Sequence, residues 1–181
     1  MAREEEIRRI MEALVIADDK VIGEIMAARG VWGEGQSSRV QSGKSMKNLA
    51  DLNRLEKGDG FYRIPGCKSE YKDHAKLLTK QLAEILKAYP ESIIHREHDL
   101  TKECGLRPDA ICLATKDDHG FCFILEVLVS ETETYFESKI NTWAGWSGAT
   151  EYLSKLFGYR IPNFSIIPIR AGENISIPRK E

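Results

Sequence analysis

The run Phe121-Cys122-Phe123-Ile124-Leu125-Glu126-Val127-Leu128-Val129 constrains this chain more than any other segment: eight of nine residues are apolar and the ninth is a carboxylate. A run so short and so apolar predicts a strand near the centre of a sheet, covered on both faces. An ionised carboxylate there is costly unless a cation of the chain or a metal ion compensates it. Whatever fold forms must therefore supply Glu126 with a partner.

The residues before it suggest where that partner lies. Ala110-Ile111-Cys112-Leu113-Ala114 is a second apolar strand, and Asp117-Asp118-His119-Gly120 has the composition of a tight turn. A hairpin with Asp118 and His119 as its central residues sets Ile111 opposite Glu126 and Asp109 opposite Leu128. Asp109 and Glu126 then share a face as diagonal neighbours, about 7–8 Å apart at the backbone. Two hard oxygen donors at that spacing suit Mg2+ or Mn2+, and such an ion polarises a phosphodiester and activates water. The competing partner for Glu126 is a basic side chain, Arg107 or Lys139.

Around this pair the pattern is helix, three strands, helix, strand. Residues 71–88 are amphipathic, with Leu77, Leu78, Leu82, Ile85 and Leu86 on one side, and Pro90 stops them. This helix either links two domains or opens the second, and it offers a surface for a homodimer. Ser92 to His95 is a short strand, Phe121 to Val129 the third of the set, and Phe164 to Ile169 the last. The segment from Thr132 to about Trp143 is helical, continuing after Gly148 to Phe157, with Ser130 or Thr132 as its cap and early acids that suit the helix dipole.

The first 66 residues have a different character. Ile7, Ile10, Met11 and Leu14 lie at helical spacing; Asp18-Asp19 caps a second helix carrying Val21, Ile22, Ile25 and Met26, which Gly30 stops. Gly33, Gly35 and Ser37-Ser38 predict a loop, and a third helix is expected from about Ser45 to Glu56. Gly58-Asp59-Gly60 is a turn, and Phe61 to Ile64 a short strand. Three helices, a turn and a strand predict a winged helix-turn-helix, whose third helix enters the major groove while a wing grips phosphate. Residues 36–50 carry Arg39, Lys44 and Lys47 and no acid, although the 181-residue chain has a formal net charge of −2. Local basicity binds phosphates even on an acidic protein, so Arg39, Lys44, Lys47, Asn48 and Arg54, with Arg63 on the wing, are the candidate contacts to double-stranded DNA. The fold class expected is α/β in the α+β sense, with a winged-helix domain at 1–66 and a second domain at 67–181.

Several classes are disfavoured. No apolar run nears the roughly 18 residues of a membrane span, and the acidic start Met1-Ala2-Arg3-Glu4-Glu5-Glu6 lacks the apolar core of a secretion signal, so a cytoplasmic protein is expected. Cys67, Cys104, Cys112 and Cys122 form no CxxC pair and have no zinc-finger histidines. Cys112 and Cys122 are expected to be buried, reduced thiols. No GxxxxGK[ST] or GxGxxG phosphate loop is present. His95, His98 and Asp99 cluster near a strand end, where a ligand or base role competes with a half-exposed loop; His119 is expected on the surface. Trp143 and Trp146 fit core packing better than base stacking.

The run Arg107-Pro108-Asp109-Ala110, the hairpin, Leu125-Glu126-Val127 and the helix after it resemble the PD-(D/E)xK nuclease superfamily over roughly residues 71–169. The resemblance implies an αβββαβ core and a metal site held by Asp109 and Glu126. The motif's lysine is missing: Leu128 stands two residues after Glu126. In branches of the superfamily the basic residue moves to the next helix, which implies Lys139, and an acid on the first core helix assists, which implies Glu84 as a further metal ligand. The N-terminal winged helix together with His98-Asp99-Leu100, Arg107-Pro108-Asp109, Glu126, Thr132 and Lys139 is similar to the replication-relaxation family of plasmids, phages and conjugative elements. That likeness implies a DNA-binding protein of a mobile element acting in replication or its control, as a Mg2+-dependent (or Mn2+-dependent) endonuclease or nicking enzyme, or as a non-catalytic regulator with a degenerate nuclease fold.

Overall fold

In the computed structural model, residues 2–33, 35–66, 72–116, 119–129 and 132–173 are described. They form a mixed α/β protein with six helices and two small sheets. The chain divides into two compact units, Met1–Pro90 and Glu91–Glu181.

The first unit opens with α1 (Ala2–Leu14), which buries Ile7, Ile10, Met11 and Leu14, the stripe expected from their spacing. A two-residue strand β1 (Ile16–Ala17) follows, then α2 (Asp19–Ala28). Asp18 caps α2 by accepting a 2.8 Å hydrogen bond from the Val21 N–H. Helix α3 (Gln36–Asp51) crosses α2 closely at Gly23, where a Cβ would stand 3.2 Å from the backbone of Ser38 and Arg39. Strands β2 (Glu56–Lys57) and β3 (Tyr62–Arg63) complete a three-stranded antiparallel sheet of order β1-β3-β2. Helix α4 (Lys72–Ala88) packs on α1, α2 and β1, and Thr79 donates a buried 2.7 Å hydrogen bond to the carbonyl of Leu14.

Three expectations for this unit change. Helix α3 begins at Gln36 and ends at Asp51, whereas the sequence suggested a loop through Ser38 and a helix from Ser45 to Glu56. Ser38 and Ser42 make the earlier start affordable: both are buried, and their hydroxyls bond to the carbonyls of Gly35 and of Asp19 and Arg39. Glu56 belongs to β2, and β1 was not anticipated. The α4 segment, assigned by sequence to residues 67–181, makes its contacts with elements of the first unit.

In the second unit, strands β4 (Ile93–Arg96), β5 (Ala110–Lys116) and β6 (His119–Leu128) form an antiparallel meander. Helices α5 (Glu133–Gly145) and α6 (Ala149–Phe157) then return the chain to β7 (Phe164–Arg170), which lies parallel to β6, giving the order β4-β5-β6-β7. A parallel neighbour requires such a crossover. Ile111, Leu113, Cys122 and Ile124 from the sheet bury against Trp143, Ala149 and Leu153 from the helices. The Cys112 and Cys122 thiols are free; burial pushes both up, Cys122 to about 12. Cys67 lies outside the described residues.

The register of the hairpin differs from that expected. Lys116 pairs with His119 and Ile111 with Ile124, two residues away from an Ile111–Glu126 pairing. His119, on β6, thus pairs with Lys116 instead of occupying the turn centre; residues 117–118 lie outside the described residues. A two-residue shift preserves the side on which each residue points.

Candidate active site

Ala110 pairs with Leu125 at the end of the β5–β6 ladder. Asp109 and Glu126, the next residue of each strand, would face each other if that register continued one step, whereas a diagonal arrangement was expected from sequence. Asp109 is fastened at both ends. Its carbonyl accepts from the Glu97 N–H at 3.0 Å, and its Oδ2 accepts from the Val127 N–H at 2.7 Å. The carboxylate so replaces a backbone acceptor just where β5 begins.

Glu126 has no exposed surface. Lys139 approaches from α5, its Nζ 2.7 Å from Glu126 Oε2, with its side chain 13% exposed. Helical spacing explains the reach: α5 starts after Thr132, whose hydroxyl accepts from the Tyr135 N–H, and Lys139 lies in its second turn, beside the end of β6. Burial disfavours the Lys139 charge, but the hydrogen bond to Glu126 and the charges of Glu126, Tyr135 and Asp109 outweigh it and hold its pKa above the usual lysine value. Glu126 therefore has the chain's own cation as a partner, one of the two candidates the sequence offered. Arg107 pairs instead with Glu97, at 3.1 Å. The Tyr135 ring centroid lies 4.9 Å from Lys139 Nζ, within cation–π range.

The donor set can be tested against a divalent ion. No group of three His, Cys, Asp or Glu side chains among the described residues converges as a metal cage would. Mg2+ needs no such cage, since it keeps several waters and uses one or two carboxylates. Asp109 and Glu126 would be the two carboxylates for such an ion, with Asp109 Oδ2 accepting from the Val127 N–H and the Lys139 ammonium competing for Glu126. Glu84, the third expected ligand, belongs to α4 of the first unit and pairs with Lys87 at 2.5 Å.

The histidines form a separate cluster. His95 lies on β4, its ring centroid 5.7 Å from His98 and 5.3 Å from Phe157. Burial, and secondarily the neighbouring His98, push the His95 pKa down. His98 Nε2 and the Tyr152 hydroxyl are hydrogen-bonded at 2.8 Å. Asp99 turns away to accept from the N–H and hydroxyl of Thr101, bonds that hold its carboxyl below the usual range. Trp143 is a core residue packed edge-on against Phe164, and Trp146 tilts against both Trp143 and Tyr152. The side chain of His119, and all of Ser130, lie outside the described residues.

In the first unit, Arg39, Lys44, Lys47 and Asn48 are exposed on α3, opposite the buried Ser38, Ser42, Met46 and Leu49. Arg54 is exposed beyond the helix end. Four of the six expected DNA contacts have acidic neighbours: Asn48 bonds to Glu4, Arg63 pairs with Glu56 at 2.7 Å, Arg39 lies 3.9 Å from Asp19, and the Arg54 charge acts on Glu5. A cleft of about 910 Å³ runs along α2 and α3, where Lys20, Arg39, Lys44 and Lys87 outnumber Asp19 and Glu24. Lys20 was missed by the sequence reading because it follows the Asp18-Asp19 pair.

Tyr135 and Tyr152 were also missed. Tyr135 stands one helical turn before Lys139, an i, i+4 relation visible in the sequence once Lys139 is singled out. Tyr152 carries no such signal. No family model matches this chain, and no curated protein or solved structure matches it.

Proposed function

We propose that this chain binds double-stranded DNA through its first unit and carries, in its second, a metal-dependent phosphodiesterase site of the PD-(D/E)xK kind, acting as an endonuclease or nicking enzyme. The observation that carries the reading is the meeting of three groups: Asp109 and Glu126, each next to the Ala110–Leu125 pair of the hairpin, and Lys139 2.7 Å from Glu126. The order β4-β5-β6-β7 with a parallel last pair supports it, as does the α1-β1-α2-α3-β2-β3 order of the first unit, which is that of a winged helix. The resemblance to the replication-relaxation family adds a role in the replication of a mobile element or in its control.

Asp109 and Glu126 would hold Mg2+ or Mn2+, which when bound polarises the phosphodiester and lowers the pKa of a bound water. With Glu126 engaged by such an ion, Lys139 would donate hydrogen bonds to the non-bridging phosphate oxygens and stabilise the charge that develops there. Arg39, Lys44 and Lys47 on α3, with Arg63 on the β2–β3 hairpin, neutralise backbone phosphates.

The experiment is incubation of supercoiled plasmid with the protein and Mg2+ or Mn2+. Nicking or cutting by the wild type, abolished in Glu126→Ala, is the expected result. A wild type that leaves the plasmid intact, or a Glu126→Ala variant as active as wild type, overturns the nuclease reading. A second reading, a non-catalytic DNA-binding regulator, is favoured by Leu128 in the position of the motif lysine. It requires DNA binding that weakens with salt and with loss of the α3 cations while the plasmid stays intact.

A further inference from the structure

The Lys139 ammonium is nearly enclosed: Glu126 Oε2 lies against it at 2.7 Å and the face of Tyr135 at 4.9 Å, and its side chain is only 13% exposed. Tyr135 itself is 48% exposed, one of the few large apolar side chains that the second unit leaves to solvent. Its place is set by α5, in whose first turn its backbone N–H bonds to Thr132. Val129, 57% exposed, ends the apolar run that contains Glu126, so the chain on both sides of the β6–α5 connection presents apolar surface. A phosphate held by Lys139 would have the Tyr135 ring as a neighbour, since that ring lies 4.9 Å from the ammonium. The group attached to that phosphate by one sugar is a nucleobase, and a half-exposed phenol ring over a cation is a stacking platform for it. Within a duplex the base faces are occupied by their neighbours, so such stacking requires a base that is already out of the helix.

We propose that Tyr135 stacks an unpaired nucleobase next to the phosphate held by Lys139, and that this site acts on single-stranded or locally melted DNA. The inference rests on the nuclease reading of Asp109, Glu126 and Lys139, and it assigns the substrate class of that site. Tyr135 is a specificity residue: its ring, not its hydroxyl, carries the role. Phenylalanine should therefore replace it and alanine should not.

The test uses the full chain with Ca2+ in place of Mg2+, so that an ion can draw Glu126 from Lys139, and a short cleavage-resistant oligonucleotide bearing 2-aminopurine offered single-stranded and as a duplex. Fluorescence of the base analogue reports stacking, and anisotropy reports affinity. The wild type and Tyr135→Phe should quench the single-stranded probe. Tyr135→Ala should lose the quench and bind that probe at least about fivefold more weakly, in line with the known worth of a base–aromatic stack, while duplex affinity is unchanged. Equal quenching and affinity in Tyr135→Ala and wild type, or an equal loss on single strand and duplex, overturns the proposal. Plasmid cutting in Mg2+ is scored separately with the wild type: its absence removes the nuclease reading, whereas cutting by the wild type together with a quench that Tyr135→Ala retains removes only the assignment of Tyr135.

Discussion

The two units differ in how deeply their most buried ion pair lies. In the first, most ionic side chains lie at the surface, as in Arg8–Glu5 at 41% and 45% exposed and Arg39 beside Asp19 at 62%, and the most buried pair, Arg29–Glu6, keeps 18% and 23%. In the second, one pair dominates, with Glu126 at 0% and Lys139 at 13%. Exposed pairs contribute only up to about 1 kcal/mol, so the first unit can exchange an acidic neighbour for a phosphate at little cost. A buried pair has already been desolvated, and removing either member takes away a charge that compensates the other. The same two residue classes thus stay largely exposed in one unit and form a single buried pair in the other.

The largest break in that comparison should come from the buried pair. Lys139→Ala leaves Glu126 without its closest cation, and the expected loss is about 3–5 kcal/mol of stability. Lys139→Met with Glu126→Leu, which removes both charges and keeps the volume, should recover most of it. Urea unfolding of the single and double variants measures the difference. A single variant as stable as wild type would show that the pair is solvated and the contrast unfounded.

Smaller effects belong to α3. Arg39→Ala, Lys44→Ala and Lys47→Ala should each change stability by no more than about 0.5 kcal/mol while weakening duplex binding irrespective of sequence. Each should also reduce the salt slope of binding by about one if the side chain contacts a phosphate. Anisotropy across a salt series decides, and an unchanged slope removes that residue from the interface. Asn48, tied to Glu4, should matter less than Lys47.

The smallest effect is a pH dependence. His95 has a depressed pKa in the fold, caused first by burial and then by His98, so the unfolded chain takes up its proton first. Stability is then fully present above the ordinary value of 6.5 and declines as the pH falls through that value towards the folded pKa. Melting temperatures between pH 8 and pH 5 should show that decline (pH values chosen to bracket the window, about one to two units either side). His95→Phe, which keeps the ring contact with Phe157, should flatten it. An identical slope in the variant would assign the decline to other groups.

Much of the site was legible because it depends on side-chain parity more than on register. Asp109 and Glu126 lie on one face whether the hairpin is paired as expected or two residues away, so an error in the turn left the pair together. Lys139 was legible as one of two candidate partners for Glu126, and only the resemblance gave it the place of the motif's lysine, since nothing local distinguishes it from other helical lysines. The partner choice, Lys139 over Arg107, follows from the Glu97–Arg107 pair and from where α5 begins, which are tertiary facts. Strands β1 and β2 escaped because two residues carry no periodicity. The start of α3 escaped because Gly35, Ser37 and Ser38 have loop character until buried carbonyls accept the Ser38 and Ser42 hydroxyls.

The central claim is that Asp109 and Glu126 together accept a divalent ion in competition with Lys139, and calorimetric titration with Mn2+ tests it without reference to DNA. The wild type should bind Mn2+, Asp109→Asn should bind it at least about tenfold more weakly (about 1.4 kcal/mol), and Lys139→Met should bind it more tightly, because the competing ammonium is gone. Absence of Mn2+ binding by both the wild type and Lys139→Met, or an affinity that Asp109→Asn leaves unchanged, would contradict the account.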